Sequence, residues 1–265
     1  MVTVVDLNAV RFEAEEDAGL RPVIILHGLF GSARNWQTFA QKIALDRTVY
    51  TLDLRNHGNS PHVSSMGYPE MAADVIHFMD SHNISKAHLI GHSMGGKAAM
   101  TIALNTPERV SSLIIVDIAP VKYNHSYDVL LGNLRDLDLA KITRRAEANK
   151  LLGEVLDDDE LRLFLLQNLV VRPGEETHWR INLDAIRENI DHLVQYVPDN
   201  GDIFSGSTDL IRGAESAYVQ PSFYPLFEAL FPAINFHVID NAGHWPHAQN
   251  AELFLQVVRG ILANR

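Results

Sequence analysis

The chain has 265 residues, 46% of them hydrophobic, with 22 Lys plus Arg against 33 Asp plus Glu and a formal charge of −11. That length suits one α/β domain with an insertion better than two independent domains, and an acidic balance without a Lys/Arg cluster argues against nucleic acid and anionic membranes as partners. Cysteine is absent, which excludes disulfides, thiolate metal sites and a cysteine nucleophile and leaves the redox compartment open.

Residues 1–20 carry Asp6, Glu13, Glu15, Glu16 and Asp17, with no basic segment or continuous apolar stretch, so no secretory signal is expected. The apolar runs are strand-sized, too short for a transmembrane helix, and the expected location is the cytoplasm. Short β-branched runs at 23–26, 48–52, 87–90 and 113–116, and later at 210–211 and 236–239, read as buried parallel strands. Between them, 36–45, 68–81, 96–105, 223–231 and 251–263 place apolar residues three and four apart and read as helices. The alternation predicts an α/β fold, a mainly parallel sheet flanked by helices.

The alternation breaks between Pro120 and about Ser205, where strand-like runs vanish and helical patterns at 151–169 and 181–197 take over. Residues 121–205 are therefore expected to form a helical lid over the site, with 1–120 and 206–265 forming the core. No Pro/Gly/Ser linker flanks the segment, and the sheet needs strands from both sides of it.

Gly91-His92-Ser93-Met94-Gly95 follows an apolar run and precedes a helical one. It has the Gly-x-Ser-x-Gly pattern of a nucleophile elbow, a strand-to-helix turn sharp enough to need glycine neighbours and to leave the serine hydroxyl exposed. A serine hydroxyl needs a general base, and the base needs an anionic partner that holds its tautomer. His244 lies in the loop after the last predicted strand, where this chain order places the base. His92 is confined within the elbow and should pack away, His27 and His57 lie on earlier strand-end loops, and His247 belongs to the His244 loop. The oxyanion of a tetrahedral intermediate needs two backbone N–H donors. Met94, directly after the nucleophile, and Leu29, in the loop His27-Gly28-Leu29-Phe30-Gly31-Ser32, are the candidates.

With Asp53-Leu54-Arg55-Asn56-His57-Gly58-Asn59-Ser60-Pro61, Gly95-Gly96-Lys97, Val116-Asp117-Ile118-Ala119-Pro120 and Ala242-Gly243-His244-Trp245-Pro246-His247-Ala248, these motifs run across nearly the whole chain. Together they resemble the α/β-hydrolase fold, and within it the bacterial YbfF-type esterases and the abhydrolase-domain-containing protein 11 group. The elbow marks the superfamily; Arg-Asn-His-Gly, the Gly-Lys after the elbow and Asp-Ile-Ala-Pro narrow it to the group. Many α/β-hydrolases carry the acid in a Gly-x-x-Asp turn, but here that turn reads Gly213-Ala214-Glu215-Ser216. Ser216 occupies the usual aspartate position, with a supporting hydrogen bond to the acid or the histidine as its expected part. The resemblance to the YbfF-type arrangement then assigns the acid to Asp117, with Glu215 and Asp184 as alternatives, while Asp240 precedes the histidine loop by too little chain.

The resemblance implies a serine hydrolase acting through an acyl-enzyme on a small-molecule acyl ester or thioester, with no metal and no cofactor, as a monomer or homodimer. Alternatives with the same residues are carbon–carbon bond hydrolysis, haloperoxidase chemistry, or ligand binding without catalysis. Asp53, His57 and His62 offer metal-type ligands in one loop, but a polar strand-end turn accounts for them and a serine mechanism needs no metal. Leu130, Leu131, Leu134, Phe164, Leu165, Leu169 and Trp179 in the insertion read first as packing residues, so acyl chain length is left open.

Overall fold

The computed structural model describes residues 3–14, 16, 18–124, 126–196, 202–263 and 265. Glu15 and Asp17 of the acidic N-terminus, and Val197 at the end of the last helix expected in the insertion, lie outside the described residues. In chain order come β1 (Ala9–Phe12), β2 (Val23–Leu26), a 3-10 turn over Ala33–Trp36 leading into α1 (Gln37–Ile43), and β3 (Val49–Leu52). They are followed by α2 (Tyr68–Ser81), β4 (Ala87–His92), α3 (Met94–Asn105) and β5 (Val110–Val116). Next are α4 (Asp128–Arg135), α5 (Arg145–Leu152), α6 (Asp159–Leu166), β6 (Leu169–Val170), β7 (His178–Trp179) and α7 (Leu183–Val194). The chain closes with β8 (Thr208–Gly213), α8 (Tyr224–Leu230), β9 (Ile234–Ile239), α9 (Pro246–Gln249) and α10 (Ala251–Ala263).

Among the described residues, seven strands form one sheet in the order β1-β3-β2-β4-β5-β8-β9. Every pairing from β3 to β9 is parallel, and β1 joins β3 antiparallel at one edge. Successive residues of each buried strand feed opposite faces. Ile24, Leu26, Leu89, Leu113 and Ile115 join a core under α2, α3 and the insertion, while Val23, Ile25, Ile90, Ile114 and Val116 pack on Trp36, Phe39 and Phe254. Helix α3 is buried along its length, and its small residues let it approach the sheet closely. A Cβ built at Gly95 would lie 2.4 Å from the Leu26 carbonyl oxygen, and one at Gly91 would lie 2.3 Å from that of Gly95.

The segment between β5 and β8 departs from expectation in two ways. Helical periodicity at 151–169 is broken into α5 and α6, because Gly153 ends the first and Asp158 caps the second by accepting from Leu161 N–H at 2.9 Å. Where strands were not expected, β6 and β7 pair antiparallel as a two-residue ribbon. Both ends of the segment are tied down beside α3. Tyr123 N–H donates to the Val194 carbonyl at 2.9 Å, and Lys97 Nζ donates to that of Val121, also at 2.9 Å. Among the described residues, no helix is long and apolar enough to cross a membrane.

Candidate active site

The carboxyl ends of β2, β3, β4, β5 and β8 meet at one rim, where loops of an open parallel sheet build a site. Ser93 follows β4 and precedes α3 with φ 51° and ψ −117°, a conformation that non-glycine residues rarely adopt. The strain is held by the Ser93 N–H donating to the Val116 carbonyl at 3.0 Å and by Lys97 N–H donating to the Ser93 carbonyl at 3.1 Å. These bonds lock the elbow between the central strands and the first turn of α3.

Asp117 ends β5 with a second positive φ, 50°, and its N–H donates to the Ile211 carbonyl at 2.9 Å. The carboxylate is fully buried. Its Oδ1 accepts from Gly213 N–H at 3.0 Å, and its Oδ2 accepts from both the Ser216 hydroxyl and His244 Nδ1, the latter at 2.8 Å. With Nδ1 donating to the carboxylate, His244 Nε2 is left as an acceptor, 3.1 Å from Ser93 Oγ. Three residues distant in sequence thus form one hydrogen-bonded chain from hydroxyl to imidazole to carboxylate. The structure also brings Ser216 to Asp117, while Glu215, Asp184 and Asp240 are exposed.

Leu29, in the loop after β2, and Met94, the first residue of α3, line the same small cavity as Ser93. Two buried histidines brace the Leu29 loop. His27 Nδ1 donates to the Gly28 carbonyl at 2.8 Å while its Nε2 accepts from Leu54 N–H at 3.0 Å. His57 Nδ1 donates to the Arg55 carbonyl at 3.0 Å while its Nε2 accepts from Phe30 N–H at 3.1 Å. Both rings must be neutral to accept, and burial pushes both pKa values down, that of His57 to about 3. Asp53 is spent on Ala33 N–H, Asn59 N–H and the Asn8 amide, and His62 Nε2 donates to the Arg180 carbonyl. The polar residues of this loop therefore tie it to the loop after β2, to the N-terminal segment and to the insertion.

His92 is buried as expected from its place in the elbow, and its Nε2 donates to the His244 carbonyl at 2.7 Å. His247 sits in α9 with its ring stacked on Trp36, centroids 4.2 Å apart. Two residues at the site, Tyr218 and Lys97, were given no site role by the sequence reading. Tyr218 stacks on the His244 ring, centroids 3.8 Å apart and planes 18° from parallel, and Tyr218 N–H donates to Ser216 Oγ. Lys97 is buried, with Nζ 4.9 Å from the Tyr123 ring centroid, and loss of hydration pushes its pKa down to about 7. Lys97 was detectable: a lysine four residues after Ser93 in an otherwise apolar helix shares the serine's face. Tyr218 carried no such signal.

Comparison with known proteins agrees with this architecture. The family model described as alpha/beta hydrolase fold matches residues 21–251. The chain is 38% identical over 245 residues to sn-1-specific diacylglycerol lipase ABHD11 of Xenopus laevis, covering 89% of this chain and 78% of that protein. It is 33% identical over 261 residues to esterase YbfF of Escherichia coli, covering 97% and 98% of the two chains. Among solved structures, a marine microorganism esterase superposes with a TM-score of 0.91 at 34% identity, covering 97% of this chain and 99% of that one.

Proposed function

Because this chain belongs to the α/β-hydrolase fold family, we propose that it hydrolyses carboxylic esters through an acyl-enzyme on Ser93, with His244 as general base and acid and Asp117 as its anionic partner. The observation that carries the reading is the hydrogen-bonded chain from Ser93 Oγ to His244 Nε2 at 3.1 Å and from His244 Nδ1 to Asp117 Oδ2 at 2.8 Å. The names of the relatives, an esterase and a diacylglycerol lipase, support ester substrates.

His244 Nε2 takes the Ser93 proton as Oγ attacks the ester carbonyl, and Asp117 stabilises the resulting imidazolium. The N–H groups of Met94 and Leu29 hold the oxyanion, each donor being worth about 3–4 kcal/mol in comparable sites. His244 then passes its proton to the departing alcohol oxygen, leaving the acyl group on Ser93. A water activated by the same imidazole releases the acid and restores the hydroxyl. Thioesters fit the same chemistry, with a thiol as leaving group.

Ser93→Ala is expected to abolish hydrolysis of a short p-nitrophenyl ester while leaving the circular dichroism spectrum and melting temperature close to wild type. An organophosphonate should label the wild-type chain on the peptide containing Ser93. Full activity in the variant, or a label elsewhere, would refute the assignment.

A further inference from the structure

The imidazole of His244 has both nitrogens engaged, Nδ1 with Asp117 and Nε2 with Ser93, so packing against its faces must hold the tilt of the ring. Tyr218 lies along one face. The two centroids are 3.8 Å apart and the planes 18° from parallel. The rings of His92 and Trp245 also approach His244, but they are tilted by 44° and 59° with centroids 4.8 and 5.7 Å away.

Tyr218 is fixed by the loop that completes the environment of the acid. Its N–H donates to Ser216 Oγ at 3.1 Å, and that hydroxyl donates to Asp117 Oδ2. Its carbonyl accepts from the Tyr123 hydroxyl at 2.7 Å, and the Tyr123 oxygen in turn accepts from Ala119 N–H at 2.9 Å, just beyond Asp117. Glu215 N–H donates to the Ala242 carbonyl at 2.9 Å, just before His244. The stacked pair therefore rests on one hydrogen-bonded platform made by the loops after β5, β8 and β9.

The geometry of the stack favours a charged ring. Two neutral aromatic rings prefer an offset or edge-on approach with centroids about 4.5–7 Å apart, because their π faces repel. A nearly parallel pair at 3.8 Å gains most when one ring carries positive charge, since a cation is drawn to the face of a phenol. His244 becomes that cation when it takes the Ser93 proton, and again when it takes one from water. Attraction that grows as the imidazolium forms lowers the barrier instead of tightening substrate binding. Burial pushes the Tyr218 hydroxyl above its ordinary pKa, so it stays neutral, and it is hydrogen-bonded to the hydroxyl of Tyr127.

We propose that Tyr218 is a positioning residue for the base: its ring face sets the tilt of His244 and stabilises the imidazolium, while its hydroxyl takes no part in proton transfer. This deepens the ester-hydrolase reading and rests on it.

Tyr218→Phe keeps the face and removes the hydroxyl, whereas Tyr218→Leu keeps an apolar cover and removes the face. With p-nitrophenyl acetate as substrate, kcat of Tyr218→Leu is expected to lie about tenfold below that of Tyr218→Phe, with KM of the two within about twofold. A kcat ratio below about threefold, or a loss confined to KM, overturns the proposal. Should Tyr218→Leu fail to fold, ring fluorination decides the matter. Phenylalanines carrying one, three and five ring fluorines, placed at this position, keep the shape of the ring and drain electron density from its face, and kcat is expected to fall at each step. A level or rising series overturns the proposal. Labelling by an organophosphonate separates the two levels: a wild-type chain that is not labelled on Ser93 refutes the ester-hydrolase reading, whereas Ser93-dependent hydrolysis that is indifferent to the face at Tyr218 refutes this assignment alone.

Discussion

Asp117 is fully buried at the end of β5 with both carboxylate oxygens engaged, whereas Glu215, Asp184 and Asp240 face water. A buried carboxylate holds an imidazolium more strongly than a solvated one, since little water screens the pair. Asp117→Asn is therefore expected to lower kcat on the order of 10³–10⁴-fold, with the fold intact by circular dichroism. Ser216→Ala removes one donor to the oxygen that also holds His244 and should cost about 1–2 kcal/mol of transition-state stabilisation, roughly tenfold in kcat. Ester hydrolysis by each variant at fixed pH measures both effects. Ser93 and His244 were legible from local chemistry, the first from its glycines and the second from its place after the final strand. The carboxylate was reached only through the resemblance, because several carboxylates end strands or turns nearby and Ser216 holds the position of the aspartate in the Gly-x-x-Asp turn. In the folded chain, Asp117 differs from Glu215, Asp184 and Asp240 in being buried and in accepting from His244.

At the scale of elements, the parallel strands were legible because both faces are buried and the runs are continuously apolar. Strand β1 was missed: it is a half-exposed edge strand with Arg11 pointing to water, and its pairing with β3 leaves no apolar run. The loop after β3 shows how elements are joined. Arg55 is buried and makes two bonds to the Asp74 carboxylate on α2, at 2.7 and 2.8 Å, and others to the carbonyls of Ser65 and Thr3. Removing one member of such a pair leaves an uncompensated buried charge. Asp74→Ala is expected to destabilise the chain by about 3–5 kcal/mol, read as a lower urea midpoint with little change in slope.

For the molecule as a whole, the buried histidines make stability depend on pH. Burial pushes His57 down to about 3 from its ordinary 6.5, and His27 and His92 move the same way. Folded, these rings stay neutral, while in the unfolded chain they protonate near the ordinary value. Their contribution to stability is therefore complete above about pH 6.5 and declines as pH falls from there toward 3. His57 alone should cost about 1.4 kcal/mol per pH unit in that window, with His27 and His92 steepening the slope. Urea unfolding at stepped pH values checks it, and His57→Gln should flatten the slope by one histidine's share; a stability that stays level across the window would contradict the assignment. Protonated His57 would also set a donor against Phe30 N–H and loosen the loop that carries Leu29. Another consequence follows from the hydrogen bond between Tyr123 and Val194, which brings the departure and return of the span after β5 side by side. A segment whose two ends meet at one point can be lengthened, shortened or exchanged with small effect on the entropy of closing it. On the function proposed above, the segment after β5 can therefore be rewritten to suit new esters while Ser93, His244 and Asp117 keep their places.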